Sequence, residues 1–227
     1  MQLPGGVVTQ GVTDPSRALP RLHLPRSLTG LSVLDVGAWD GFYSFECSRR
    51  GASRVLATDS YAWDGSSWGR RDAFLYARNV LGLNSVVEDK LIDVMELSPE
   101  AVDGPFDVVL LLGVLYHLTD AITALQRVAA CCRDLLIVET ETAVNWLPYA
   151  AARVYPGTGL NDDPTNWYQY NIRALRGLLL NCGFRTVEVK YRTPLHRRVA
   201  RSLAGTRRGR SLRTELRSQR VVLHARR

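Results

Sequence analysis

The chain has 227 residues, is 46% hydrophobic, and carries 29 Lys/Arg against 22 Asp/Glu for a formal charge of +7. That is enough for one sizeable core and too little for two comfortable domains, so a single domain over 1–227 is expected. The longest apolar run, at 108–115, falls far short of the roughly 20 residues that span a bilayer, which leaves no membrane partner, and the start lacks the basic flank and apolar core of a signal peptide, so a cytoplasmic home is expected.

Residues 1–30 are expected to be a helical or loop segment before the first strand. Strand-like apolar segments then recur at 32–36, 54–58, 89–92, 106–112, 135–139, 186–191 and 220–225, seven in all. Phe42, Phe45 and Cys47 follow the first as a helix. Further helical stripes run through Ala73, Phe74, Ala77, Val80 and Leu81, then Ile122, Leu125, Ala129 and Cys132, then Ile172, Leu175, Leu179 and Cys182. The last of these has Asn171 as an N-cap and Gly183 as a stop. Strands that alternate with helices and are themselves almost continuously apolar imply an α/β fold with a parallel sheet covered on both faces. Residues 140–170, rich in Asn, Asp, Pro, Tyr and Trp, break the rhythm as an insertion on the substrate side. Residues 192–219 break it again as a basic connection.

Fourteen of the basic residues fall in 185–227, against Glu188 and Glu215. Such a tail suits an anionic partner such as RNA. The competing explanation is a general preference for arginine, since only Lys90 and Lys190 are lysines, and nucleic acid is possible but not favoured as a partner. Cys47, Cys131, Cys132 and Cys182 show no metal or disulfide spacing, and the adjacent pair is expected to pack as small apolar groups.

In an open parallel sheet a ligand sits beyond the carboxyl ends of the strands. The sequence there is Gly37-Ala38-Trp39-Asp40-Gly41, with a tryptophan where a G-x-G-x-x-G fingerprint has its middle glycine. Gly37 permits a sharp turn off the strand, and Gly41 leads into the helix. Asp35, at the strand end, would repel a pyrophosphate but suits a ligand with a positively charged amino group. Asp59, ending the second strand, is placed to accept hydrogen bonds from both ribose hydroxyls, and Asp93, ending the third, to meet an adenine amino group. Acidic residues at three successive strand ends point to S-adenosylmethionine over a nicotinamide cofactor.

These residues resemble the class I S-adenosylmethionine-dependent methyltransferases, which implies a Rossmann-like, doubly wound, seven-stranded sheet with an antiparallel last strand. The closer resemblance is to the tRNA wobble-uridine 5-oxyacetate/5-methoxy methyltransferase-like family. It is carried by VLDVGAWDGFYSFE, LATDSYAW, GVLYHLTD, LLIVET, YPGTGLNDDPTNWYQYN, NCGF and QRVVLHAR. It implies cofactor contacts at Gly37, Asp59, Ser60, Tyr61, Asp93, Val94, Leu112 and Tyr116. Arg220 matches an arginine that, in members using carboxylated S-adenosylmethionine, meets the extra carboxylate together with the tyrosine. Those members have a long region before the first strand where this chain has about 30 residues, and a proline where this chain has Tyr170. The short relatives look like methyltransferases of small molecules, so ordinary S-adenosylmethionine and a small-molecule acceptor are expected.

Methyl transfer needs alignment more than protein chemistry. A hydroxyl acceptor does need a base, and Tyr116 and His117 follow the fourth strand at the active edge of the sheet; His117 is either that base or a structural residue under the cofactor. Tyr116 can lie near the sulfonium. Glu139 is a candidate acceptor contact or capping acid. Trp39, Tyr43, Trp63, Trp68, Trp146, Trp167, Tyr168 and Tyr170 offer walls for an acceptor pocket. Arg220, on the last strand, needs an anionic partner, either Glu139, Asp40 or an acid on the acceptor. His23, His196 and His224 are expected at the surface. The function so predicted is methylation of a small molecule by a monomer or homodimer, oxygen slightly ahead of nitrogen. The alternatives are tRNA wobble-uridine modification and a non-catalytic cofactor-binding subunit.

Overall fold

Apolar and β-branched runs in Ser32–Val36, Arg54–Asp59, Phe106–Leu112 and the middle of Cys132–Thr142 build the centre of the sheet, and a charged strand, Val87–Leu91, lies at its edge. The computed structural model describes residues 1–9, 14–65, 70–206 and 218–227. Its strands β1 (Ser32–Val36), β2 (Arg54–Asp59), β3 (Val87–Leu91), β4 (Phe106–Leu112) and β5 (Cys132–Thr142) lie parallel in the order β3-β2-β1-β4-β5. The insertion supplies β6 (Ala152–Val154) and β7 (Tyr168–Tyr170). After them come β8 (Thr186–Arg192) and β9 (Gln219–Arg226). β9 runs antiparallel to β5, from Leu135 opposite Arg226 to Thr142 opposite Gln219, and β8 pairs with its other edge. The doubly wound α/β sheet with an antiparallel last strand is therefore as expected, with two strands more than the seven predicted.

The extra strands have a non-local cause. β4 pairs with β5 only as far as Leu112 opposite Glu139, and the chain then turns away at Gly113. β5 continues to Thr142, where Tyr170 of β7 takes up the edge that β4 has left, and β6 pairs with β7. Backbone groups on that exposed edge are thereby satisfied by the insertion.

Strand alternation sorts the core into two layers. Leu34, Val36, Val109, Leu111 and Val138 face Leu125 and Val128 of α4 (Ala121–Ala130) and Leu175 and Leu179 of α5 (Ile172–Asn181). Val33, Val55, Leu110 and Ile137 face Leu22 of α1 (Pro15–Leu22), Phe45 of α2 (Phe42–Arg49) and Phe74 of α3 (Arg71–Val80). Each of these larger side chains contributes roughly 1.5–3 kcal/mol on burial. Asn171 caps α5 by accepting from the Ala174 N–H, and Gly183 ends the turn at φ 91°, as expected.

Three local readings differ. Cys132 opens β5 and does not end the preceding helix, whose inward face is Ala121, Ala124, Leu125, Val128 and Ala129, with Ile122 turned outward. The third strand ends at Leu91, so Asp93 follows it as the cap of a short 3-10 turn. The basic connection holds α6 (Leu195–Thr206), and its remainder at 207–217 lies outside the described residues. Among the described residues no helix is long and apolar enough to cross a membrane.

Candidate functional site

β1 sits between β2 and β4, so the connection leaving β1 and that leaving β4 run to opposite sides and open a crevice at their carboxyl ends. The glycine-rich loop enters there. Gly37 has φ 75°, and a Cβ on it would stand 2.3 Å from Val114 Cγ2, so the β1 and β4 exits approach more closely than a side chain allows. Trp39 also adopts a left-handed conformation, φ 50°, which costs an L-residue roughly 1–2 kcal/mol. The position that usually carries the middle glycine thus keeps the glycine backbone shape without the glycine.

The loop spends its donors internally. Gly37 and Ala38 N–H both donate to the Thr58 carbonyl (2.8 and 3.0 Å), Gly41 N–H to the Ala38 carbonyl (2.8 Å), and Trp39 N–H to Asp59 Oδ2 (2.9 Å). Those four amides are not available as a phosphate cradle. The Trp63 indole N–H closes the arrangement on the Trp39 carbonyl (2.8 Å).

Asp59 is the hub of the acids at the ends of β2 and β3. Oδ2 accepts from Trp39 and Oδ1 from Ala62 N–H (2.9 Å), which fixes the carboxylate. Burial pushes its pKa up, opposed by backbone N–H groups of Ala62, Trp39 and Ser60. Ser60 Oγ donates to Asp93 Oδ2 (2.9 Å), and Asp93 Oδ1 accepts from Met95 N–H (2.8 Å) beside buried Val94. The structure therefore links Asp59, Ser60, Asp93 and Val94 along the ends of β2 and β3.

Asp35 is not brought to the opening with them. It shares the face of Val33, is 2% exposed, and accepts from Ser44 Oγ of α2 at 2.6 Å. Burial, with a smaller contribution from the Asp59 charge, pushes its pKa up to about 6 despite Ser44. The native state therefore holds this proton where the unfolded chain, near 3.8, has released it. Its contribution to stability falls as pH rises from about 4 through about 6, by about 3 kcal/mol in total, and is flat above. Urea unfolding of Asp35→Asn should lose this component of the pH dependence. An unchanged pH profile would show that Asp35 is ionised at no cost.

At the end of β4, half-buried Leu112 and Gly113 lead into the 3-10 turn Leu115–His117. Tyr116 is 7% exposed, and its hydroxyl accepts from Arg220 Nη2 (3.1 Å). Arg220 Nη1 reaches both Glu139 oxygens (2.9 Å each), and Nη2 lies 3.4 Å from Glu141. Of the partners considered for Arg220, the structure selects Glu139 and not Asp40. Burial disfavours the guanidinium charge, yet Glu139, the Tyr116 oxygen and Glu141 hold its pKa well above the ordinary value. Glu139 is thereby an ion-pair partner; its backbone carbonyl accepts from Gly113 N–H (2.9 Å).

The insertion docks on the same turn. Trp167 N–H donates to the Tyr116 carbonyl (2.8 Å), and His117 Nδ1 meets Thr165 Oγ1 at 2.8 Å. The His117 ring lies 4.5 Å from the Tyr116 ring, centroid to centroid. Burial depresses the pKa of His117 below its ordinary value, opposed chiefly by Asp163, so the ring is neutral at pH 7. Its neighbours Tyr116 and Arg220 place it beside the crevice.

The expected aromatic walls divide. Tyr43 is half-buried near Glu139 and Arg220, with its phenol pKa raised by burial and then by Glu139. Trp63 is a core residue, 5% exposed and 4.9 Å from Phe74. Trp167 and Trp146 are exposed, Tyr168 and Tyr170 are partly buried with their rings tilted and 6.1 Å apart, and Trp68 lies outside the described residues. His224, expected at the surface, is buried and bonded through Nε2 to the Leu22 carbonyl (2.8 Å).

Sequence reasoning did not single out Glu141, Asp163, Thr165 or Gln169. Gln169 donates to Glu141 (2.8 Å), and Asp163 accepts from both the N–H and the hydroxyl of Thr165. The Asp-x-Thr spacing is a recognisable turn signature, and it was the signal available for the last two.

Residues 12–189 match the family model described as a methyltransferase domain. No curated protein matches the chain. Among solved structures, the N-terminal domain of EvdMO1, crystallised in the presence of SAH and D-fucose, is 17% identical, with 93% of this chain and 80% of that one covered and a TM-score of 0.62. An S-adenosylmethionine-dependent methyltransferase from Mesorhizobium loti is 18% identical over 94% and 97% of the two chains, TM-score 0.60. The magnesium protoporphyrin IX methyltransferase of Synechocystis PCC 6803, with bound SAM, is 19% identical over 93% and 77%, TM-score 0.56. The matching family model is the general methyltransferase domain, and none of these three structures is described as a tRNA-modifying enzyme.

Proposed function

The chain belongs to the methyltransferase-domain family, and from that premise we propose that it methylates a small molecule with S-adenosylmethionine, oxygen acceptors being favoured over nitrogen. The observation that carries the oxygen preference is a half-buried His117, its pKa depressed, beside Tyr116 at the end of β4, poised to take a hydroxyl proton.

The residues present fit the cofactor. Asp59 presents a carboxylate fixed by backbone N–H groups to the ribose hydroxyls, Asp93 and Val94 stand at the neighbouring strand end for adenine, and Gly37 keeps the β1 exit clear. Asp35 supplies negative charge from beneath the loop, and Gly41, Trp39, Ser60 and Leu112 complete the surround. When bound, S-adenosylmethionine supplies an activated methyl group on a positively charged sulfur. Tyr116, at the β4 exit, would offer an electron-rich ring to such a cation, an interaction of roughly 0.5–2 kcal/mol when desolvated. The aromatic Trp167 and Tyr168 stand on the acceptor side with Glu139 and Arg220.

Arg220 favours the ordinary cofactor over its carboxylated form, because its guanidinium is already matched by both oxygens of Glu139. We further propose a cytoplasmic enzyme, monomeric or homodimeric, with no membrane partner and with a small-molecule acceptor favoured over nucleic acid. Methyl-labelled cofactor incubated with the protein and a fractionated extract tests the acceptor class. Label in the small-molecule fraction supports the proposal; label confined to RNA would favour wobble-uridine modification.

A further inference from the structure

We propose that Thr165 and Asp163 of the insertion are positioning residues that hold His117 as its Nδ1-protonated tautomer, leaving Nε2 bare to take the acceptor's proton. The inference rests on the reading of His117 as base.

The hydrogen bonds have a direction. Asp163 accepts at Oδ1 from the Thr165 N–H (2.8 Å) and from the Thr165 hydroxyl (2.7 Å). Burial raises the Asp163 pKa, but the bonds from Thr165 and the charge of His117 outweigh it, so the carboxylate is ionised and can only accept. The single hydroxyl proton of Thr165 is thus committed to Asp163. What Thr165 Oγ1 presents to His117 Nδ1, 2.8 Å away, is a lone pair. A bare Nδ1 would set two acceptors against each other at that distance, so Nδ1 carries the hydrogen. Without such a partner an imidazole is free to place its proton on either nitrogen.

The ring is also fixed in orientation. The Tyr116 ring packs against it at 47°, and the Trp167 N–H to Tyr116 carbonyl bond locks the insertion onto the same turn. The charged groups facing His117 are Asp163 from the insertion, Glu141 from β5 and Arg220 from β9. When the acceptor O–H bond breaks, its electron pair stays on oxygen and the proton moves to Nε2. The imidazolium then keeps its Nδ1–H bond to Thr165, with Asp163 as the nearer compensating charge, until water removes the proton. The insertion therefore supplies part of the catalytic apparatus as well as the acceptor wall.

The tautomer can be read without any acceptor. In ¹⁵N-histidine NMR of the full chain, with His117→Ala assigning the signals, His117 should carry its hydrogen on Nδ1. Thr165→Val should shift it toward Nε2, and Thr165→Ser should restore the wild-type pattern, which a merely structural role would not produce. Asp163→Asn should lower the His117 titration midpoint in the same spectra. An Nε2-protonated ring in the wild type, or a Thr165→Val spectrum identical to it, would overturn the proposal. If the tautomer is as stated yet His117→Ala turns over normally, the base reading fails while the positioning geometry stands.

Discussion

Asp59→Ala is expected to weaken cofactor binding by about 10²–10⁴-fold, from the loss of two charge-assisted hydrogen bonds of about 1.5–3 kcal/mol each. The damage goes beyond the ligand. The same carboxylate accepts from Trp39 N–H on the β1 loop and from Ala62 N–H on the β2 loop, so its removal leaves two part-buried donors without their partners. Each such loss costs roughly 1–3 kcal/mol, and the variant should unfold at lower urea as well. Asp59→Asn separates the two effects only in part, because its amide nitrogen must face one of those N–H groups. Calorimetry with S-adenosylhomocysteine reads the first effect and urea unfolding the second; unchanged affinity in Asp59→Ala would remove Asp59 from the cofactor site.

The second large effect is on turnover alone. His117→Ala should lower kcat by about 10²–10⁴-fold, the usual contribution of general base catalysis, with cofactor affinity nearly unchanged. The affinity is spared because His117 is held by Thr165 and Tyr116, away from the ends of β2 and β3. The pH profile carries an independent sign. A base works only when neutral, and burial places the His117 pKa below 6.5, so the rate should rise with pH through a midpoint below 6.5 and be level at pH 7–8. A midpoint above 7, or a His117→Ala variant with full turnover, would exclude it as base.

Much of this arrangement was legible because it rests on local pattern. Apolar strands separated by helical stripes located β1, β2, β4 and β5, and the ordered recurrence of Asp59 and Asp93 after Gly37 placed these acids together at the carboxyl end of the sheet. Arg220 on an apolar strand announced an anionic partner, and Glu139 was among the few acids within reach. What escaped was non-local. Three-residue strands such as β6 and β7 have no periodicity to detect, and they form because β5 outruns β4. Asp35 at a strand end reads as a ligand contact, and nothing local in the sequence says that its face lies beneath α2, where Ser44 holds it. Cys132 fits a helical stripe as well as a strand, and only pairing with Phe106 decides it. His224 is satisfied by a carbonyl some 200 positions earlier, at Leu22. The link from Asp163 through Thr165 to His117 likewise spans an insertion whose composition reads as loop.

The structure of this chain with S-adenosylhomocysteine bound tests the placement of the site most directly. The account predicts ribose hydroxyls on Asp59, adenine beside Asp93 and Val94, and the sulfur directed toward Tyr116 and His117. A ribose bound away from Asp59, or a ligand seated off the carboxyl ends of β1 to β4, would contradict it.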